Sequence, residues 1–546
     1  MFHTFSFDVR KQEMRIATKA WSDFAAHIPL IRSFSYGPNL GRLLHGKPVE
    51  SPLFPGEPIR YHYGFYALVG ALERLGLRID WAFNIPSALG FFLLLVLIFR
   101  LSQLLFTNYF VSFLSVLLFL FNGSFSFVKF FREHPLASIT PGDVFMNPKF
   151  PSFGPWDGGP VTAFWNLNIF TNQRHLGLSY AVALTILLLM WRCTAKTSFS
   201  RRFVFGLGTG VLWGTLWFIN HAVAAAIAFC LLFIIQHAWR NMLHPSFFFR
   251  PDPKFPKVGD GFVIGFGVVS LLLMPFILNS LSASLSIQQS PCYLSPPPFT
   301  VASCAYFWFM NLGLHTFLVP LGILLAPKTV RNFLLGPLLA LFILPNLFRF
   351  SPDMINNHKF FNFFLIVGNM FSAYAIVRIF SIKRIGTLVG LVGLVGLMLS
   401  GIIDFFPIIN DAKGGMPDVA SNPDVRFFAT QTKPNDIVAN STWFYHPASL
   451  AGRSMYSGYT YFTWSYGYDQ GGREASLQSI YQAPDRLSLC QRLRDTNVAY
   501  IELNSEPEHY LQPNMALWDT LLPVYKNPDN HLRIYDTESL CDARPR

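Results

Sequence analysis

The sequence predicts an α-helical polytopic membrane protein with about ten spanning helices, followed by a small C-terminal extracytoplasmic α/β domain. Three observations lead there. Apolar residues make up 52% of the 546 residues and charged residues only 13%, about half the charged share of an ordinary soluble domain. The apolar residues, 58 Phe among them, gather into long runs separated by short basic loops, the pattern of helices dissolved in hydrocarbon. Beyond residue 406 the runs shorten and acids become frequent. Residues 406–546 carry 12 Lys/Arg against 16 Asp/Glu, which leaves a net charge of +16 for the membrane part. It follows topology and gives no support to nucleic-acid binding.

Residues 1–80 read as a first extracytoplasmic loop with amphipathic helices. The opening stretch, MFHTFSFDVRKQEMRIATKAWSDF, holds neither a signal-peptide core nor a spanning run. An exterior start therefore leads to the expectation that the natural chain has one more helix upstream of Met1. The bundle occupies 81–405, with spans at approximately 82–106, 109–131, 176–191, 203–219, 222–235, 261–281, 305–326, 333–348, 360–377 and 385–403. Loops 192–202, 236–260, 327–332 and 378–384 together hold 13 Lys/Arg, opposed only by Asp252 and Asp260. They face the cytoplasm by the positive-inside rule. Loops 132–174, 282–304 and 349–359 hold five Lys/Arg and four acids, and lie outside with both ends of the chain. In 406–546 the stretches DIVAN, NVAYIEL and HLRIYD read as strands and 475–494 as helical. Cys292, Cys304, Cys490 and Cys541 fall outside, where Cys292–Cys304 and Cys490–Cys541 are allowed pairings; spacing leaves four free thiols equally open.

Chemistry-bearing residues concentrate at the exterior boundary. Asp23 and His27 are four apart, so a helix would turn both toward one substrate or ion; an Asp–His hydrogen bond or a helix cap accounts for the same spacing. Asn172-Gln173-Arg174-His175 abuts a span, where a polar quartet is costly unless it binds something or reaches headgroups. Arg174 and His175 are candidate phosphate contacts, with interfacial anchoring as the competing explanation. His358 and Lys359 open a span, and a cation at a helix start opposes the dipole, so anchoring alone explains it poorly. Asp143 and Asp157 sit in Pro/Gly-rich turns that favour capping. Asn220 and His221 occupy a tight turn between spans. The run AGRSMYSGYTYFTWSYGYDQGGRE, with Arg453, Tyr459, Trp464, Tyr468, Asp469 and Arg473, suits either sugar recognition through ring faces or simple packing.

The first loop resembles that of the GT-C superfamily of membrane glycosyltransferases, the lipid-phosphate-sugar-dependent enzymes that include protein mannosyltransferases and aminoarabinose transferases. An acidic residue early in the loop matches Asp23. A proline-led, Tyr-rich amphipathic helix matches Pro58, Tyr61, His62 and Tyr63, ended by Gly76. The lead-in to the next span matches Ala82 to Ser87 (AFNIPS), except that Asn84 stands where the family carries Arg. The resemblance covers about 70 residues, and tails like 406–546 follow the bundle in bacterial members. It implies a transferase that moves a sugar from a polyprenyl-phosphate donor to an acceptor at the outer face. Asp23 would be general base or hold a divalent cation, with His27 beside it. His62, Arg174, His175, His358 and Lys359 would bind substrate. The family often has two neighbouring acids where this chain has Asp-Phe, which weakens direct metal binding.

A phosphate-binding loop, a His-Glu-x-x-His helix and a Gly-x-Ser-x-Gly elbow are all absent from the sequence. The rival reading is a transporter or flippase of a lipid-linked glycan, which needs the cavity and the cations but no base; a non-catalytic membrane scaffold would need neither. Against transport, no internal repeat is visible.

Overall fold

The computed structural model describes residues 1–154, 160–193, 198–243, 260–281, 287–295, 297–440, 443–504 and 511–542. The chain divides into two compact units, one built largely from 87–279 and 285–412, the other from 2–86 and 413–546.

The first unit is helical. Among the described residues five helices are long and apolar enough to cross a membrane: Ile79–Phe106, Phe199–Ile219, Lys328–Leu347, Met354–Phe380 and Lys383–Ile409. A sixth arises if Val301–Leu312 and His315–Leu325 count as one span, but they meet at 82°. The break falls at Gly313, whose φ of +53° suits a residue without a Cβ. The expected span 109–131 is likewise interrupted. Helix Tyr109–Leu120, capped by the Asn108 side chain, stops before a polar step and gives way to the separate helix Ser126–Glu133. Leu176–Arg192, His221–Gln236 and Gly261–Pro275 are apolar helical stretches of 10–17 residues. Helix His358–Phe380 is buried along nearly its whole length. It packs against Tyr109–Leu120, His315–Leu325, Lys328–Leu347 and Lys383–Ile409, so it forms the axis of this unit. Cys292 and Cys304 are disulfide-bonded. Of the basic loops that set the expected orientation, residues 194–197 and 244–259 lie outside the described residues, as does Asp157.

The second unit is mixed. The opening stretch folds as a hairpin, Phe5–Asp8 against Glu13–Ala17, and Lys413–Pro417 adds a third antiparallel strand. Asp8 shapes its turn by accepting from the Arg10 and Lys11 amides. Helices Trp21–Ser35 and Gly64–Arg74 pack together, and the latter ends at Gly76, φ +101°, as the sequence suggests. All three expected strands of the tail lie in one sheet, ordered Tyr525–Lys526, Arg533–Asp536, Tyr500–Leu503, Ile437–Ala439, Ser454–Met455. The last three run parallel and the first two antiparallel to their neighbours. The expected helix at 475–494 is two, Gln470–Tyr481 and Arg486–Thr496. Ile480, Leu489, Ile501, Trp518 and Tyr535 form the core beneath them, and the Cys490–Cys541 disulfide closes its edge.

Candidate functional site

In the mixed unit, Asp23 stands in the first turn of helix Trp21–Ser35, where the helix dipole favours a carboxylate. Its side chain is half-buried. Four phenols feel its charge: Tyr61, Tyr66, Tyr445 and Tyr466. Burial raises the pKa of each, and Asp23 raises it further because a second anion beside the first is disfavoured. The phenols are therefore protonated at neutral pH. Tyr61 and Tyr66 share a hydrogen bond. Tyr445 sits at φ +54°, an unusual backbone for a bulky residue. Its hydroxyl donates to the Trp21 carbonyl at 2.6 Å, which ties it to the start of the helix that carries Asp23.

His27 lies one turn on from Asp23, as expected, and is 3% exposed. Its ring is 4.8 Å from that of Tyr66 and 6.1 Å from Phe24. It is a packed imidazole rather than one open to solvent. His62 is also buried, with its ring 3.7 Å from that of Tyr61.

A narrow cleft lies beside this group, lined by Ala26, Leu30, Ser51, Pro52, Leu53, Ile59, Tyr61, Tyr466 and Tyr468, with a cavity volume of about 10 Å³. Ala26 and Leu30 are three and seven residues on from Asp23, so all three share one helix face. Tyr61 and Tyr466 stand with ring centroids 4.8 Å apart. Tyr468 is stacked on Phe54 at 4.8 Å and lies under the Arg60 guanidinium at 4.6 Å. The arginines of the aromatic run are structural. Arg453 donates to the Thr432 hydroxyl and to the carbonyls of Tyr36, Ala429, Ala451 and Thr432. Arg473 lies over Phe54 and Tyr456 and donates to the Pro55 carbonyl.

In the helical unit, two segments chosen separately from the sequence meet. His175 is the N-cap of helix Leu176–Arg192, and His358 and Lys359 open helix His358–Phe380. Gln173 Nε2 lies 3.4 Å from His358 Nε2, and Asn362 Nδ2 lies 3.0 Å from His358 Nδ1. Two carboxamides thus bracket the ring, and Phe164 stacks on it at 5.3 Å. His175 and Lys359 are close enough for their charges to act on His358. Tyr180 joins the two helices by donating to the Lys359 carbonyl at 2.8 Å. Lys359 Nζ donates to Asn356 at 2.9 Å. Arg174 is fully buried, donating to the carbonyls of Thr171 at 2.6 Å and Met1 at 3.2 Å. Burial lowers its pKa to about 9, which leaves it cationic at neutral pH. Cationic side chains at the positive ends of two helices make an environment that favours an anion.

Other candidates are accounted for locally. Asp143 caps a short helix through Thr140, and Asp353 accepts from the Ile355 amide. The Asn220 side chain caps helix His221–Leu243 through Val223. Asn84, the departure from the family pattern, is fully buried and donates to the Phe5 carbonyl at 2.9 Å. Sequence reasoning missed the buried triad of Arg32 with Asp418 at 2.8 Å and Glu73 at 3.3 Å. It also missed Tyr66, Tyr445 and Tyr466 around Asp23; the only local signal was the density of Tyr. Among the described residues no three of His, Cys, Asp and Glu converge as a metal site would need. Asp23 and His27 by themselves supply fewer ligands than a divalent cation takes.

No family model matches the chain, and no curated protein matches it. Among solved structures it is similar to the oligosaccharyltransferase of Archaeoglobus fulgidus. Against the complex with zinc and sulfate the identity is 12%, with 95% of this chain and 69% of that one covered, at a TM-score of 0.48. Against the apo form the values are 12%, 92%, 67% and 0.42. Against the complex with an inhibitory peptide and a dolichol-phosphate they are 12%, 89%, 65% and 0.39. The chain spans about two thirds of the length of these proteins.

Proposed function

We propose that this chain is a GT-C-like glycosyltransferase of the cell membrane that moves a sugar from a polyprenyl-phosphate donor to an acceptor hydroxyl at the outer membrane–water face. The observation that carries the reading is the meeting of Gln173, Arg174 and His175 with His358 and Lys359. Cationic and protonatable groups gathered near two helix N-termini favour an anion, and a lipid phosphate is one.

In the reaction, the acceptor oxygen attacks the anomeric carbon while its proton passes to the Asp23 carboxylate. The bond from that carbon to the phosphate oxygen breaks with inversion, and polyprenyl phosphate leaves with the electron pair. Arg174, His175, His358 and Lys359 offset the charge that develops on the leaving group. The ring of protonated phenols leaves Asp23 the one carboxylate whose charge reaches all of them, which suits it to be the base. His27 and His62 hold the phenols from behind; the expected direct role of His27 in proton transfer is proposed as a supporting one, because its ring is packed among Phe24 and Tyr66.

The test is a product assay. Purified protein given labelled polyprenyl-phosphate sugar and acceptor should release polyprenyl phosphate. A donor that crosses the bilayer with its phosphate bond intact would assign the protein to transport instead.

A further inference from the structure

We infer that helix Gly64–Arg74 lies in the membrane interface, in the leaflet at which helix Ile79–Phe106 begins, with Leu68, Leu72 and Leu75 among the acyl chains and Arg74 and Lys47 on anionic phospholipid headgroups. Binding of this kind requires no sugar transfer, so its test is separate from that of the transferase reading.

The helix is apolar on two sides. Residues 64–72, GFYALVGAL, hold no charge. One side, with Phe65, Tyr66, Val69 and Gly70, is buried and packs against helix Trp21–Ser35. Gly70 comes so close that an added Cβ would stand 2.6 Å from the Phe34 Cβ. The other side carries Leu68, Leu72 and Leu75, which are four and three residues apart and so form one stripe. Leu68 is exposed and Leu75 is 81% exposed. Helix Asn39–Leu44 packs beside this one and ends in Leu43 and Leu44, both exposed. A helix that is apolar on two sides and buried on one needs a second apolar medium.

Chain connectivity puts that medium close by. Leu77, exposed, stands two residues before the spanning helix Ile79–Phe106. The outward stripe of the spanning helix starts at Trp81 and continues through Ile85, Leu89 and Phe92, all exposed. A Trp at the head of such a stripe marks the interfacial zone of a bilayer. Trp81 is six residues from Leu75, so even a fully extended chain keeps the two within roughly 20 Å. The bilayer around the spanning helix is then the apolar medium nearest to Leu75 and Leu77.

Charge selects the headgroups. The three acids of residues 39–78 each pair with an arginine: Glu50 with Arg42, Glu57 with Arg60 and Glu73 with Arg32. Arg78 pairs with Asp80. Lys47 and Arg74 are left exposed, one just beyond Leu44 and the other beside Leu75. Cations at the edge of an apolar face suit a helix lying on anionic lipid.

The experiment uses the full chain in lipid nanodiscs, with a nitroxide attached at Leu68→Cys, at Leu75→Cys and, for reference, at Leu487→Cys, which is equally exposed but lies in the tail. The unsubstituted chain, whose free Cys193 and Cys230 are buried, is the blank. Electron paramagnetic resonance compares collisions with oxygen, which concentrates among acyl chains, and with a water-soluble nickel chelate. The Leu68→Cys and Leu75→Cys labels should favour oxygen several-fold more than the Leu487→Cys label. Equal ratios at the three positions would overturn the inference. Spin–spin broadening, or shielding from both reagents at the first two positions, would seat a second copy or another protein there and overturn it as well. In a second arm, discs of phosphatidylcholine are compared with discs in which a third of the lipid is phosphatidylglycerol. The Leu75→Cys label should move further toward oxygen in the anionic discs, and Arg74→Gln combined with Lys47→Gln should remove that shift without changing the ratio in neutral discs. No shift with anionic lipid, or an undiminished shift in the charge variant, would overturn the inference.

Discussion

Gln173 Nε2 and His358 Nε2 stand 3.4 Å apart although 185 residues separate them in the chain. That contact brings Arg174 and His175 into the same neighbourhood as His358 and Lys359, each group at the start of a helix. If these cations serve the donor phosphate, Lys359→Met and Arg174→Gln should each lower kcat/KM for a polyprenyl-phosphate sugar by about 10²-fold, the usual effect of removing one donor from a developing oxyanion. Steady-state kinetics over a donor series checks this. A change under twofold in both variants, with the protein folded, would remove the phosphate assignment.

The Arg32–Asp418 ion pair has both partners almost excluded from solvent, at 1% and 12% side-chain exposure. Asp418→Ala leaves a buried guanidinium with Glu73 as its remaining carboxylate. The variant should lose about 3–5 kcal/mol of stability, read as a drop in the midpoint of chemical unfolding. Unchanged unfolding would mean that the pair contributes nothing net.

Glu73 gives a pH signature. Its pKa is raised above the ordinary 4.5 of a glutamate, by burial first, with Arg32 and Ser35 pulling the other way. The folded state therefore holds this proton more tightly than the unfolded state. The stability so contributed is complete below about 4.5 and is lost as the pH climbs through the raised value. Glu73→Gln cannot ionise, so its melting temperature minus that of wild type should grow as the pH rises from 4 through that window. A difference independent of pH would show that Glu73 is not perturbed.

The Cys490–Cys541 disulfide spans 51 residues of sequence. Closing a loop of that length should stabilise the fold by about 4 kcal/mol. The double variant Cys490→Ser, Cys541→Ser should unfold at correspondingly lower denaturant, and reduction of the wild-type protein should reproduce the effect.

Much of this was legible because a single segment carried the signal. Apolar runs gave the positions of the helices, Gly76 gave the end of helix Gly64–Arg74, and the alternating apolar pattern gave the tail strands. The interruptions at Phe121–Phe125 and Gly313–Leu314 were hidden, because hydropathy continues across a break that only backbone geometry reveals. The hairpin Phe5–Asp8/Glu13–Ala17 was hidden for another reason: its third strand, Lys413–Pro417, lies some 400 residues on. The same holds at the candidate site. The four-residue spacing of Asp23 and His27 could be read locally, and polar residues at a lipid boundary drew attention to Arg174, His175, His358 and Lys359. That Tyr445 and Tyr466 would close around Asp23, or that Gln173 would reach His358, depends on tertiary pairing that no local pattern encodes.

The central claim is that Asp23 takes the acceptor proton, and single-turnover transfer by Asp23→Asn tests it most directly. With donor binding within about threefold of wild type, the account predicts that sugar transfer slows by about 10²–10⁴-fold, the span expected for loss of a general base. Transfer at the wild-type rate in that variant would contradict it.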